Sequence, residues 1–148
     1  MNDRSRRAVR RPAASPEIVF SLLGTAHAVE ARLETALAAV GLSLAKIGIL
    51  IELAGSAEPL ALSELADRVA CVRSNITQLV DRLEKDGLVR RQSDAADRRS
   101  VRAALTAAGR RAHSEGMAVL GRAQGEIVAG LGAGQAANLK SALGLLQG

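Results

Sequence analysis

The chain has 148 residues, a net charge of +5 and 48% apolar residues, with Phe20 its only aromatic and Cys71 its only cysteine. That length suits one domain with an oligomerising extension, and an apolar content made mainly of Ala, Leu and Val favours closely crossing helices over an aromatic ligand cage. One cysteine rules out an intrachain disulfide and fits a reducing cytoplasm, and the longest charge-free stretch, Ile127 to Leu139, has 13 residues, too few to span a bilayer.

The charge is unevenly placed. Residues 1–11 hold Arg4, Arg6, Arg7, Arg10 and Arg11 against Asp3, so the arm carries +4 and the rest of the chain only +1. Residues 1–14, rich in Arg, Ala and Pro and aperiodic, predict a disordered basic arm. Such an arm suits an anionic partner without choosing between nucleic acid and a membrane surface. The arginines, the apolar run and the ending "AHA" imitate an export signal. Glu17 at the head of that run, and an apolar spacing that continues past the would-be cleavage site, point to a mature helix instead.

Ser15-Pro16-Glu17 is a helix start, with Ser as N-cap, Pro at the first position and Glu favourable to the dipole. Apolar residues then recur at helical spacing from Ile18 to Val40, and Gly41 is a natural stop. Ser43 caps a second helix, "LAKIGILIELA", apolar nearly all round and so expected to be buried. "LAL" at 60–62 has the makings of a very short strand, and Ser63 is the expected cap of "ELADRVA", with Leu65, Ala66 and Val69 facing inward. "SNITQLVDRLEKDG" is amphipathic, with Ile76, Leu79, Val80 and Leu83 as its apolar stripe and Gly87 as its stop.

"LVRRQS" and "SVRAAL" flank a polar loop and predict a β-hairpin. Thr106 caps a long helix, and "AANLKSALGLLQ" forms a last one. Gly116, Gly121, Gly125 and Gly130 weaken the long helix by roughly 1 kcal/mol each relative to Ala, which predicts that packing on a partner holds it.

Two short helices joined by a tight turn form a helix-turn-helix, whose second helix enters the major groove of DNA. The apolar stripe leaves Arg73, Asn75, Thr77, Gln78, Arg82 and Lys85 facing out, residue types that read base edges and grip phosphates. A hairpin directly after this unit makes it a winged helix. At its tip, "DAADRR", Arg98 and Arg99 suit the narrow, negative minor groove, and Asp94 and Asp97 are placed to hold arginines in aim.

"LEKDGLVRRQSDAADRRSVRAALTAAGR" resembles the signature segment of the MarR (multiple antibiotic resistance regulator) family of winged-helix transcriptional regulators. Leu83, Glu84, Gly87, Leu88, Val89, Asp94, Asp97, Arg98, Arg99, Leu105, Thr106 and Gly109 match its pattern, and the order of elements agrees over about 16–147. The resemblance implies a mainly α fold with a small β-hairpin wing, a single regulator domain over 15–148 and a DNA-binding lobe at about 43–105. Helices at about 16–40, 106–130 and 134–147 would interlace in a homodimer on a pseudo-palindromic operator. It also implies base reading by Ser74, Asn75, Thr77 and Gln78, and a minor-groove role for Arg98. Ala70 and Val72 stand where the family has Gly and a Ser or Thr cap, which shifts the cap to Ser74 and leaves open where the helix starts.

Plainer readings stand beside these. Taken alone, the polar face of residues 73–85 reads as a solvated helix face, with intrahelical pairs available from Arg82 to Asp81 or Glu84 and from Lys85 to Asp86; beside the wing the DNA-facing reading is preferred. Cys71, at the apolar position of the turn, reads as core filler rather than a redox switch. His27 and His113 are too far apart for a local metal pair, and no cofactor or metal is expected. By the resemblance, Phe20 and His27 belong to a small-ligand pocket, with His27 on the interior side of the first helix. No nucleophile–base pair or phosphate-cradling loop suggests an enzyme. The alternative to a DNA-binding repressor with a small-molecule effector is a winged-helix module that binds protein.

Overall fold

The computed structural model describes residues 16–69, 76–94 and 100–147. In chain order the elements are α1 (Pro16–Ala38), α2 (Leu44–Ala54), β1 (Leu60–Ala61), α3 (Leu62–Arg68), α4 (Ile76–Lys85), β2 (Val89–Ser93), β3 (Val101–Leu105), α5 (Ala107–Val128) and α6 (Ala133–Leu146). The fold is mostly helical with a small antiparallel sheet of order β1-β3-β2. The arm at 1–14 lies outside the described residues, as do Cys71 and the wing tip at 95–99.

The helix boundaries follow their caps. Ser43 Oγ accepts from Lys46 N at 3.2 Å to open α2, and Thr106 Oγ1 accepts from Gly109 N at 2.9 Å to open α5. Each satisfies an amide that the first helical turn leaves without a partner. Gly41 and Gly87 take left-handed φ values of 73° and 71° after α1 and α4, a conformation an L side chain resists.

Two local expectations fail at α3. The helix begins at Leu62, before Ser63, and Ala61 is its N-cap residue; the Ala61 N–H donates to Glu64 Oε2 at 2.8 Å. The reason lies in the sheet: Leu60 and Ala61 pair with Ala103 and Arg102, so extended backbone ends at Ala61 and the helix starts immediately. Ala66 is exposed rather than inward, while Leu65 and Val69 are buried.

The core forms where α2, α3, α4 and the sheet meet. Ile49, Leu50, Leu65, Val80 and Leu83 are fully buried there, and Leu37 of α1 and Val119 and Leu120 of α5 close it. Gly116, which the sequence assigns to packing on a partner, packs instead within the chain. A Cβ at that position would sit 2.7 Å from Ile47 Cδ1 and 2.8 Å from Leu42 Cδ1, so its absence lets α5 lie against α2. Gly121 and Gly125 have nothing within 4 Å, and Gly130 lies beyond the end of α5.

The two ends differ from this centre. α6 buries no residue, and the first turns of α1 leave Ile18, Val19, Phe20 and Leu23 exposed. Among the described residues no helix is long and apolar enough to cross a membrane.

Candidate nucleic-acid interface

α4 presents the expected faces. Ile76, Leu79, Val80 and Leu83 point into the core, while Thr77, Gln78, Arg82 and Lys85 are exposed. Gln78, Arg82 and Lys85 recur every three or four residues, so they share one ridge of the helix. Arg73, Ser74 and Asn75, expected to continue this face, lie outside the described residues, as do Asp97, Arg98 and Arg99.

The carboxylates beside that ridge do not pair along the helix. Asp81 Oδ1 lies 2.6 Å from Arg91 Nη2 on β2, and Glu84 Oε2 lies 3.8 Å from Arg91 Nε. The same guanidinium donates to Thr77 O at 3.1 Å, and the Arg91 amide donates to Glu84 Oε1 at 3.1 Å. Asp86 pairs with Lys46 of α2 at 2.7 Å. These contacts overturn the intrahelical pairing of Arg82 and Lys85: strand β2 and helix α2 approach close enough to take the acids first. Arg82 and Lys85 are left without an ion pair among the described residues.

The base of the wing is closed by pairing of Ser93 with Val101 and by Asp94 N donating to Ser100 O at 3.0 Å. Asp94, expected to hold a wing-tip arginine in aim, accepts from Arg102 of β3: Arg102 Nε donates to its Oδ2 at 2.7 Å, and the Asp94 side chain is only 17% exposed, while the tip arginines lie outside the described residues. Arg102 Nη1 also donates to Pro59 O at 3.0 Å and lies 3.7 Å from Glu64 Oε2, tying the wing to the start of α3. The hydrogen bond and charge of Asp94 raise the Arg102 pKa above its ordinary value. A raised arginine pKa means that the pair's contribution is complete below the ordinary arginine range and is lost only in stronger alkali.

Arg91 and Arg102 are the residues that sequence reasoning passed over. Both lie in strands, and the available signal was their register: Arg91 falls on the same face as buried Val89 and Ala103, opposite the acids of α4.

Phe20 and His27 do not form a pocket in this chain. Phe20 is 72% exposed and His27 is exposed, not interior, because α1 packs on the core through its C-terminal half, at Leu33, Ala36 and Leu37. No group of three His, Cys, Asp or Glu is arranged to hold a metal among the described residues.

A family model described as "MarR family" matches residues 42–101, the lobe that carries α2 through the wing. An HTH-type transcriptional regulator of Bacillus subtilis, YkoM, is 38% identical over 56 residues, which is 38% of this chain and 36% of that protein's length. The structure of CouR from Rhodococcus jostii bound to p-coumaroyl-CoA is 30% identical with a TM-score of 0.71, covering 89% of this chain and 92% of that one. A Cys-to-Ser mutant of MarR from E. coli, complexed with operator DNA, shares the fold at a TM-score of 0.77 and 20% identity, covering 88% and 94%.

Proposed function

The chain belongs to the MarR family of transcriptional regulators, and from that premise we propose that it is a homodimeric, sequence-specific DNA-binding repressor of a pseudo-palindromic operator. One observation carries the reading. The outer ridge of α4 keeps its cations, Arg82 and Lys85, free of the neighbouring carboxylates, which are drawn inward by Arg91 and Lys46. A merely solvated face has no need of that separation; a face that meets phosphate does.

In this reading Arg73, Ser74, Asn75, Thr77 and Gln78 meet base edges, Arg82 grips phosphate, and Arg98 and Arg99 enter the minor groove. Asp94 and Asp97 support the wing, with Asp94 acting through Arg102 on its base. The homodimer is supported by the exposed apolar residues of α1 and α6, among them Phe20, Leu139 and Leu143, which a single chain leaves in water. Two-fold pairing would set two α4 helices one turn of DNA apart, and the bound dimer would block polymerase sterically. CouR, one of the similar proteins, holds p-coumaroyl-CoA; a small ligand at the junction of lobe and dimer would release this chain by shifting half-site spacing.

The test is salt-dependent binding to a DNA fragment from beside the chain's own gene. Wild type is expected to bind it orders of magnitude better than random DNA. Arg98→Ala and Arg82→Ala should each lose roughly 1–3 kcal/mol. Deleting residues 1–11 should lower affinity for both DNAs and flatten the salt slope. Binding that is weak, indifferent to sequence and lost only with the arm would overturn the repressor reading in favour of a protein-binding module.

A further inference from the structure

We propose that the cleft between the wing sheet, the C-terminal end of α2 and the first turns of α5 is a binding site for a small organic phosphate monoester, held by Arg90, Arg110 and His113. This site goes beyond the DNA-binding reading and does not depend on it.

The cleft has a volume of about 490 Å³, within the range of small-molecule sites and larger than a bare phosphate needs. Arg90 reaches it from β2, and Arg110 and His113 reach it from α5. Side chains alternate along a strand, so Arg91 turns to α4 and Arg90 to the opposite face.

The charge of the cleft is unusual for this molecule. Arg91, Arg102 and Lys46 each have a carboxylate partner, whereas Arg90, Arg110 and His113 have no ion pair with any described residue. Arg110 spends one N–H on Leu105 O at 3.4 Å, which fixes its direction and leaves the rest of the fork unused. Among the described residues Glu58 is the only carboxylate of the lining. Two guanidiniums and an imidazole therefore face one acid, in a chain that neutralises its other strand arginines.

The shape selects the anion. A guanidinium fork matches carboxylate or phosphate oxygens, but only a tetrahedral dianion offers enough terminal oxygens for two forks and an imidazole at once. No Phe, Tyr or Trp lines the cleft, so a flat aromatic acid would have only the His113 imidazole to stack on. Leu53 and Ala104, the latter directly across the sheet from Arg90, offer apolar lining for a short carbon stem, and Glu58 can accept a hydrogen bond from a hydroxyl on it.

The experiment is calorimetric titration of the full chain with glycerol phosphate, inorganic phosphate and glycerol. Glycerol phosphate should bind saturably, one per chain, and glycerol should not bind. Arg90→Ala and Arg110→Ala should each weaken the ester at least ~10-fold, Arg90→Lys less so, and Arg68→Ala, an exposed arginine outside the cleft, should change nothing. Thermal unfolding of each variant separates loss of the site from loss of the fold, and Arg90→Lys keeps the charge if Arg90→Ala is unstable. Absence of saturable binding, or binding unmoved by both alanine variants, overturns the proposal. Tighter binding of inorganic phosphate than of the ester assigns the free anion and overturns the ester. If the alanine variants instead weaken random DNA and no small phosphate binds, the two arginines are backbone contacts and the cleft is no ligand site. Failure of sequence-specific DNA binding alone would sink the repressor reading and leave this one standing.

Discussion

The leucines of the central lobe and those of the last helix have similar neighbours in sequence and opposite fates in space. Leu50 and Leu83 are fully buried among α2, α4 and the sheet, whereas Leu143 of α6 is 39% exposed and Leu145 86%. The lobe completes its own core because its elements wrap one another from several directions: β1 returns to pair with β3, Arg91 draws β2 onto α4, and Lys46 draws α2 to the turn after it. α6 buries none of its residues, and its Leu139 only shares a cleft with Ile18, Leu22 and Thr25 of α1. The difference teaches that amphipathic periodicity says which face wants burial but not whether the burying surface belongs to the same molecule.

Substitutions can break or sharpen that contrast. Leu50→Ala removes a fully buried side chain from the lobe and should cost about 2–5 kcal/mol, read as a lower denaturant midpoint with an unchanged slope. Leu143→Asp tests the other region. It should weaken self-association at least ~10-fold, about 1.4 kcal/mol, seen as sedimentation moving toward the 15.3 kDa chain. If Leu143→Asp destabilises a chain that sediments as a monomer at every concentration, the apolar ends are not a pairing surface.

Smaller effects probe the seam between the regions. Thr106→Ala removes the α5 cap and the 2.7 Å hydrogen bond to Gly87 O, and should cost about 1 kcal/mol in thermal unfolding. Lys46→Ala breaks a partly exposed pair with Asp86 and should cost at most about 1 kcal/mol of stability, diminishing in high salt. A loss for Lys46→Ala larger than that of Thr106→Ala would mean that the pair, not the cap, fixes the seam.

Most of the architecture was legible. Ser43 and Thr106 announced their helices, Gly41 and Gly87 their ends, and the stripe of α4 separated Leu79 and Leu83 from Gln78 and Arg82. What misled was local in each case. Ser63 is a good cap by type, but strand pairing of Ala61 fixed the helix start before it. Asp81 and Glu84 sit beside Arg82 in sequence, yet Arg91, seven to ten positions further on, lies closer in space. His27 lies on the half of α1 that contributes no residue to the core.

The sequence by itself determined the order and type of the elements, the core face of α4 and the family, because caps, periodicity and turn residues act within a few positions of the chain. Only the tertiary structure decided which acid neutralises which arginine, because that choice depends on distances of a few ångströms between elements. The same distances left Arg90 and Arg110 facing one cleft without a counter-charge of their own, apart from Glu58 at its rim. Whether α1 and α6 face water was likewise beyond the sequence, since an apolar stripe is identical whether its partner is the same chain or a second copy.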